Sequence, residues 1–275
     1  MSLLLNPSSE PQFLHLKTSL PHALLLVGEK GMGARTVAFE LARAHTNTVQ
    51  LVRPEKDKMP DPAGSIGVER IRELYESARS REPLTRIIIV EDAHAMTAQA
   101  QNAFLKLLEE PAENTHFILT AHTRQGLLST ILSRVQTFAL RPITAEQTSQ
   151  LLDTLKVSDA RARAQLNFVA GGKPAELTRL AQEPSALTAR GGVISDARTF
   201  LQAAPYERLV LCQKFKDDRA KALRFVDACL ALLRSSLAKQ PTNHQIVREL
   251  ERYLLAYEKM ERNGNIRLNL ARLVL

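Results

Sequence analysis

Apolar residues in the first half of the chain fall into short unbroken runs separated by helical spacings. ALLLV (Ala23–Val27), RIIIV (Arg86–Val90) and HFILT (His116–Thr120) are continuous apolar runs, and VQLV (Val49–Val52) is a weaker one. Runs of this length with no polar alternation predict strands buried on both faces, as in a parallel sheet. Between them the spacing changes to that of helices with one apolar face. Val37, Leu41 and Ala44 recur within Thr36–His45, Val68, Ile71, Leu74, Tyr75 and Ala78 share one face, and Ala103, Phe104, Leu107 and Leu108 lie within Thr97–Glu110. Pro111 ends that last helix, because its ring and missing N–H forbid continuation. A short helix at Leu127–Leu132 leads to a final segment, Val135–Leu140, and Arg53–Ser65 is expected to be a polar loop. Strands alternating with helices predict an α/β layer with a parallel sheet and helices on both faces.

After Pro142 the strand signal disappears. Thr144 and Gln147 form a capping box opening a helix through Leu155, Ser158–Val169 is a second helix, and Pro174 opens a third. Glu183–Val193, with Pro184, Gly191 and Gly192, is expected to be a linker. From Ile194 onward the chain is helical, with long segments Asp217–Lys239 and His244–Arg262, a break at Asn263-Gly264-Asn265, and a last helix Ile266–Leu275. The expected organisation is an α/β domain over residues 1–142, a small helical domain over 143–188 and an all-α domain over 189–275.

Composition narrows the classes. The net charge is +8, yet the basic residues are scattered, without a basic run interleaved with aromatics, so a stand-alone nucleic-acid binder is poorly supported. No apolar run approaches the roughly 18 residues that span a bilayer, and MSLLLNPSSEP lacks the basic flank and cleavage site of a signal peptide. Cys212 and Cys229, the two cysteines, have no metal-ligand spacing. A reduced, cytoplasmic protein with no membrane contact and no thiolate metal site is expected.

The candidate chemistry follows the first strand. In GEKGMGARTV (Gly28–Val37), Gly28, Gly31 and Gly33 stand where a phosphate-binding loop needs glycines between a strand and a helix. The position of the phosphate-binding lysine is Ala34, and the position of the magnesium-ligating hydroxyl is Arg35. Shifting the motif by one residue makes Arg35 and Thr36 a substitute pair, but puts Glu29 and Ala34 at two glycine positions. A second constellation, Glu91-Asp92, ends the Ile87–Val90 run. ATPases of this architecture end the strand with Asp-Glu, the Asp holding magnesium and the Glu activating water. Here the order is reversed, and capping of the next helix is an equally good account of the two acids.

These residues resemble bacterial clamp-loader subunits of the AAA+ class. The likeness rests on the GEKGMG loop, on IIIVEDAHAMTAQAQNAFLKLLEEPAENTHFILTA (Ile87–Ala121) and on LLSTILSRVQTFAL (Leu127–Leu140). It covers about the first 180 residues and continues weakly into NGNIRLNLARLVL (Asn263–Leu275). Within the class the chain is most similar to the delta-prime branch, whose phosphate loops are broken. The resemblance implies an AAA+ P-loop domain, a helical lid and a helical collar. It also implies a stator that does not hydrolyse ATP but lends an arginine to a neighbouring ATPase site, so no cofactor is expected.

By that resemblance Ser133-Arg134-Val135 is the finger motif, with Arg134 the residue acting in trans and the family's cysteine replaced by Val135. The lid position that contacts ATP in the family is Pro174, and the family's four-cysteine zinc module has no counterpart in His45–Ser65. The implied partners are the tau/gamma motor subunits and the delta subunit, with the sliding clamp and primer-template DNA reached through the complex. Phe225, Leu232, Leu250 and Leu254 are expected to mark the face that holds the ring. The competing reading is an active ATPase that uses Arg35, Thr36 and Glu91.

Overall fold

The computed structural model describes residues 3–46, 48–61, 64–78, 85–261 and 264–274, with the backbone only at 76–78. Two compact units emerge: residues up to Val157 together with Ala170–Arg179, and Ser158–Val169 together with the chain from Leu180 onward.

The first unit is built on strands β1 (Ala23–Val27), β2 (Val49–Val52), β5 (Arg86–Val90), β6 (Thr115–Ala121) and β7 (Gln136–Ala139). They form one sheet in the order β2-β5-β6-β1-β7, and every pairing is parallel. Its helices are α1 (Glu10–Thr18), α2 (Ala34–His45), α3 (Val68–Ala78), α4 (Ala98–Glu109), α5 (Ser129–Leu132) and α6 (Ala145–Thr154).

Strand residues alternate between the two faces, and each face has its own core. Leu25, Ile88, Val90, Phe117 and Leu119 pack with Ile71, Leu74, Phe104 and Leu107 of α3 and α4. Leu24, Leu26, Ile87, Ile89, Ile118 and Phe138 pack with Phe13, Leu16, Val37 and Leu41 of α1 and α2. Burial of each such leucine or isoleucine contributes about 1.5–3 kcal/mol, so the unbroken apolar runs are explained by a sheet covered on both sides.

Two segments differ from expectation. The polar loop after β2 contains a small hairpin, β3 (Glu55–Lys56) against β4 (Met59–Pro60), turned through Asp57 and Lys58 at positive φ. Residues 62 and 63 of that loop lie outside the described residues. Glu183–Val193 is not a linker, because helix α9 runs unbroken over Pro184–Gln202. Pro184 fits its first turn, where no N–H is needed. Gly191 lies within this helix, where a Cβ would meet only the movable end of the Gln165 side chain, 2.6 Å from Nε2.

The second unit is helical, with α7 (Ala160–Ala170) entering it, α8 (Pro174–Gln182) ending in it, and α9 followed by α10 (Pro205–Cys212), α11 (Arg219–Lys239), α12 (His244–Glu261) and α13 (Ile266–Arg272). Arg262, Asn263 and Leu275, included in the sequence expectations for its end, lie outside the described residues. Phe225 stacks on Phe215 at 4.3 Å and meets Phe200 edge-on at 5.2 Å. Phe225 and Leu250, expected on a partner-facing surface, are buried in this unit's own core, and Leu232 packs against it. Of the four, Leu254 alone is exposed; the most exposed apolar side chains of the unit are Tyr206, at 77%, and Val210 and Leu268, each at 53%. No helix among the described residues is long and apolar enough to cross a membrane.

Candidate nucleotide-loop and arginine site

The site residues gather at the carboxyl ends of the strands, where an open parallel sheet leaves its binding crevice. Gly28 follows β1, Glu91 and Asp92 follow β5, and His122 follows β6. The Gly28 N–H donates to the Ala121 carbonyl at 3.1 Å, which ties the start of the loop to the end of β6.

Gly31 and Gly33 have φ of +92° and +86°, and α2 begins at Ala34 with Gly33 as its left-handed cap. The loop therefore has left-handed backbone at Gly31 and Gly33, the glycine positions of the unshifted register. Its mouth is covered by the start of α8. The Ala175 and Glu176 N–H groups donate to the Gly31 carbonyl at 3.0 and 3.1 Å, and Lys173 Nζ pairs with Glu29 Oε2 at 2.7 Å. A Cβ on Gly31 would lie 2.6 Å from the Glu176 Cβ, so only glycine lets α8 come this close. Pro174 opens α8 and brings no cation to the loop.

Arg35 reaches across the loop to the end of β5. Its Nε lies 2.9 Å from Glu91 Oε1, while Arg53 Nε lies 3.3 Å from Glu91 Oε2. Burial pushes the Glu91 carboxyl above its ordinary value, and the Arg35 and Arg53 guanidiniums only partly oppose this, with Asp92 adding to the rise. Thr36 is exposed on α2.

Asp92 turns away from Glu91. Its backbone is left-handed (φ +49°, ψ +50°), an uncommon state for a residue other than glycine, and its side chain does not cap the following turn Ala93–Ala95. The carboxylate instead meets His122 Nε2 at 3.2 Å. The His94 ring lies against that of His122, with centroids 5.2 Å apart. Asp92, His94 and His122 each offer one ligand atom, all within 4.8 Å of one another, so this trio is able to hold a metal ion. Sequence reasoning considered thiolates only and missed it. The available signal was a histidine two residues past the β5 acids and another directly after β6.

A buried glutamine, also overlooked, links the loops. Gln101 on α4 donates from Nε2 to the Met96 carbonyl at 3.2 Å and to the Gly126 carbonyl at 2.7 Å, and accepts from the Leu128 N–H at 2.8 Å.

Comparison with known proteins shows what this sheet and its loops are similar to. The family profile described as DNA polymerase III, delta subunit, matches residues 14–144. DNA polymerase III subunit delta' of Bacillus subtilis is 32% identical over 196 residues, covering 65% of this chain and 59% of that protein. Over these residues the chain is similar to the delta-prime subunits of DNA polymerase III. The delta-prime relative from Pseudomonas aeruginosa is 31% identical over 58% of this chain and 55% of its own length, so the chain spans less than two thirds of these relatives. A variant of Thermotoga maritima RuvB shares the fold at 13% identity, with a TM-score of 0.51 over 73% of this chain and 65% of that one.

Ser133 and Arg134 sit between α5 and β7. Arg134 Nη2 pairs with Glu109 Oε1 of α4 at 2.8 Å, and Nη1 donates to the Thr130 carbonyl at 3.0 Å. Ser133 Oγ donates to the same carbonyl at 3.0 Å. The side chains of Arg134 and Glu109 are 38% and 48% exposed. The Arg134 guanidinium is therefore held by Glu109 and the Thr130 carbonyl while remaining partly exposed.

Proposed function

We propose that this chain is a non-catalytic stator subunit of the DNA polymerase III clamp loader, acting in the cytoplasm in DNA replication. The observation that carries the reading is the Arg35–Glu91–Arg53 bridge. In P-loop ATPases the acid at this strand end and a loop hydroxyl hold magnesium between them. Here the hydroxyl position is the arginine that occupies the acid, so two guanidiniums already stand where a magnesium ion would need to approach it. Ala34 supplies no charge to a phosphate, and α8 covers the loop mouth through Ala175 and Glu176. The residues do not fit a working magnesium–nucleotide site.

In this reading Arg134, flanked by Ser133, is the finger offered to a neighbouring tau/gamma ATPase subunit. Its planar, permanently charged fork suits the oxygens of a transferring phosphoryl group. The half-exposed pair with Glu109 is worth no more than about 1 kcal/mol, which a triphosphate arriving from a neighbour readily outcompetes. The residues 143–188 act as lid and 189–275 as collar, with the delta subunit as a further neighbour. The sliding clamp and primer-template DNA are contacted through the assembled ring.

Two measurements test the reading. The isolated chain should turn over no ATP above background with magnesium present. A turnover that disappears in Thr36→Ala would replace it with the active-ATPase reading. In a complex reconstituted with its motor subunits, Arg134→Ala should preserve assembly and reduce DNA- and clamp-stimulated hydrolysis at one site by up to about 10³-fold or more. The bulk rate then falls only partly, and Arg134→Lys restores little of it. Clamp loading at the parental rate by the Arg134→Ala complex would reduce the role to scaffolding.

A further inference from the structure

We propose that Asp92, His94 and His122 bind one divalent transition-metal cation, with zinc the best match to the ligand set. Two imidazoles and a carboxylate are the donors that zinc takes in three-ligand sites, with a fourth position left for water or another group.

The geometry is close to what such an ion requires. Ligand atoms around one tetrahedral zinc stand roughly 3.4 Å apart, given metal–ligand distances near 2.0–2.1 Å. The Asp92–His122 separation is already 3.2 Å, and no pair in the trio exceeds 4.8 Å. All three side chains are partly exposed, so a rotation of one imidazole closes the remainder without disturbing a packed core.

The backbone prepares the trio. The Asp92 N–H donates to Thr120 Oγ1 at 3.1 Å, which fixes the end of β5 against β6. Asp92 holds its left-handed conformation (φ +49°) while aiming its carboxylate at His122 rather than at the turn it precedes. Such strain persists where the surroundings over-determine it and clusters at ligand clamps.

The two nitrogens of His122 have different surroundings. The nitrogen beside Asp92 is Nε2, so it is the donor toward an ion shared with Asp92, and the buried Nδ1 adds no ligand to it. An ion at this point would join the loop after β5 to the loop after β6, the latter leading through Gly126 and Leu128 to Arg134. It would also neutralise Asp92 beside Glu91. The inference does not depend on the stator reading, since it concerns metal binding by the chain alone.

The test is a titration of the tag-free full chain, stripped with chelator, first with cobalt(II) and then with zinc. One equivalent of cobalt should saturate and give the strong visible bands of a four-coordinate ion, and zinc should abolish them. The bands should be absent in His122→Ala and in Asp92→Asn, and unchanged in the double variant Cys212→Ser/Cys229→Ser. Failure of the parent protein to give a saturable visible spectrum overturns the proposal by itself. So does a spectrum that survives in either site variant with parental circular dichroism, or one that vanishes with the cysteines.

Discussion

Replacing Gln101 with leucine should destabilise the sheet-bearing unit far more than a change of similar size on an α4 surface. The side chain is 4% exposed and makes three hydrogen bonds, to the Met96 and Gly126 carbonyls and from the Leu128 N–H. Leucine fills a comparable volume, so cavity formation is a minor contribution and the lost polar contacts dominate. Each bond contributes about 0.5–1.5 kcal/mol net, and a partner left buried without water costs about 1–3 kcal/mol. Gly126 is exposed and its carbonyl can be hydrated, whereas Met96 is buried and Leu128 half-buried. The expected cost is therefore about 3 kcal/mol, and for a unit of this size it lowers Tm by roughly 6–12 °C. Scanning calorimetry on the full chain reads the shift, and amide hydrogen exchange locates it, because Leu128 should lose protection while the β1 amides keep theirs. A Gln101→Leu protein melting within about 2 °C of the parent, with Leu128 still protected, would refute the clamp.

Two further outcomes follow from the loop. Gly31→Ala forces a Cβ at φ +92° against Glu176 and should cost at least about 1–3 kcal/mol in urea denaturation; an unaffected midpoint would mean that α8 does not seat on the loop. Glu91 has its carboxyl raised above the ordinary 4.5 by burial, so the folded chain binds a proton there that the unfolded chain has released. That contribution to stability is present below pH 4.5 and is lost as pH rises through the raised value, so Glu91→Gln should gain on the parent between pH 4.5 and neutrality. A parent that instead gains on the variant over this window would show that the two guanidiniums outweigh burial.

The sheet was legible in the sequence because burial on both faces leaves an unbroken apolar run, and Ala23–Val27 and Arg86–Val90 could hardly be anything else. The phosphate-loop glycines were legible for a similar reason, since positive φ at Gly31 and Gly33 demands a residue type. Contacts set by strand pairing were not. His122 lies 28 or more residues from its neighbours in the chain and meets them only because Val90 registers with Leu119 across β5 and β6. Glu109 is likewise distant from Arg134 in sequence, and nothing in either segment announces the pair. Gly191 misled for the opposite reason: it sits inside an unbroken helix, but in isolation it has the same signature as a helix end.

The position of β1 between β6 and β7 also dictates how this protein must be born. Every strand that pairs with Ala23–Val27 is specified at least as far along the chain as Thr115. A ribosome adding about 5–20 residues per second leaves that leucine-rich segment outside without a sheet partner for roughly 4 to 18 s. This inner strand is thus among the first parts of the sheet to be made and among the last to be satisfied. Nascent chains caught before Thr115 emerges should be bound by chaperones at that segment, and release should coincide with the appearance of β6, well before the helical unit has been translated.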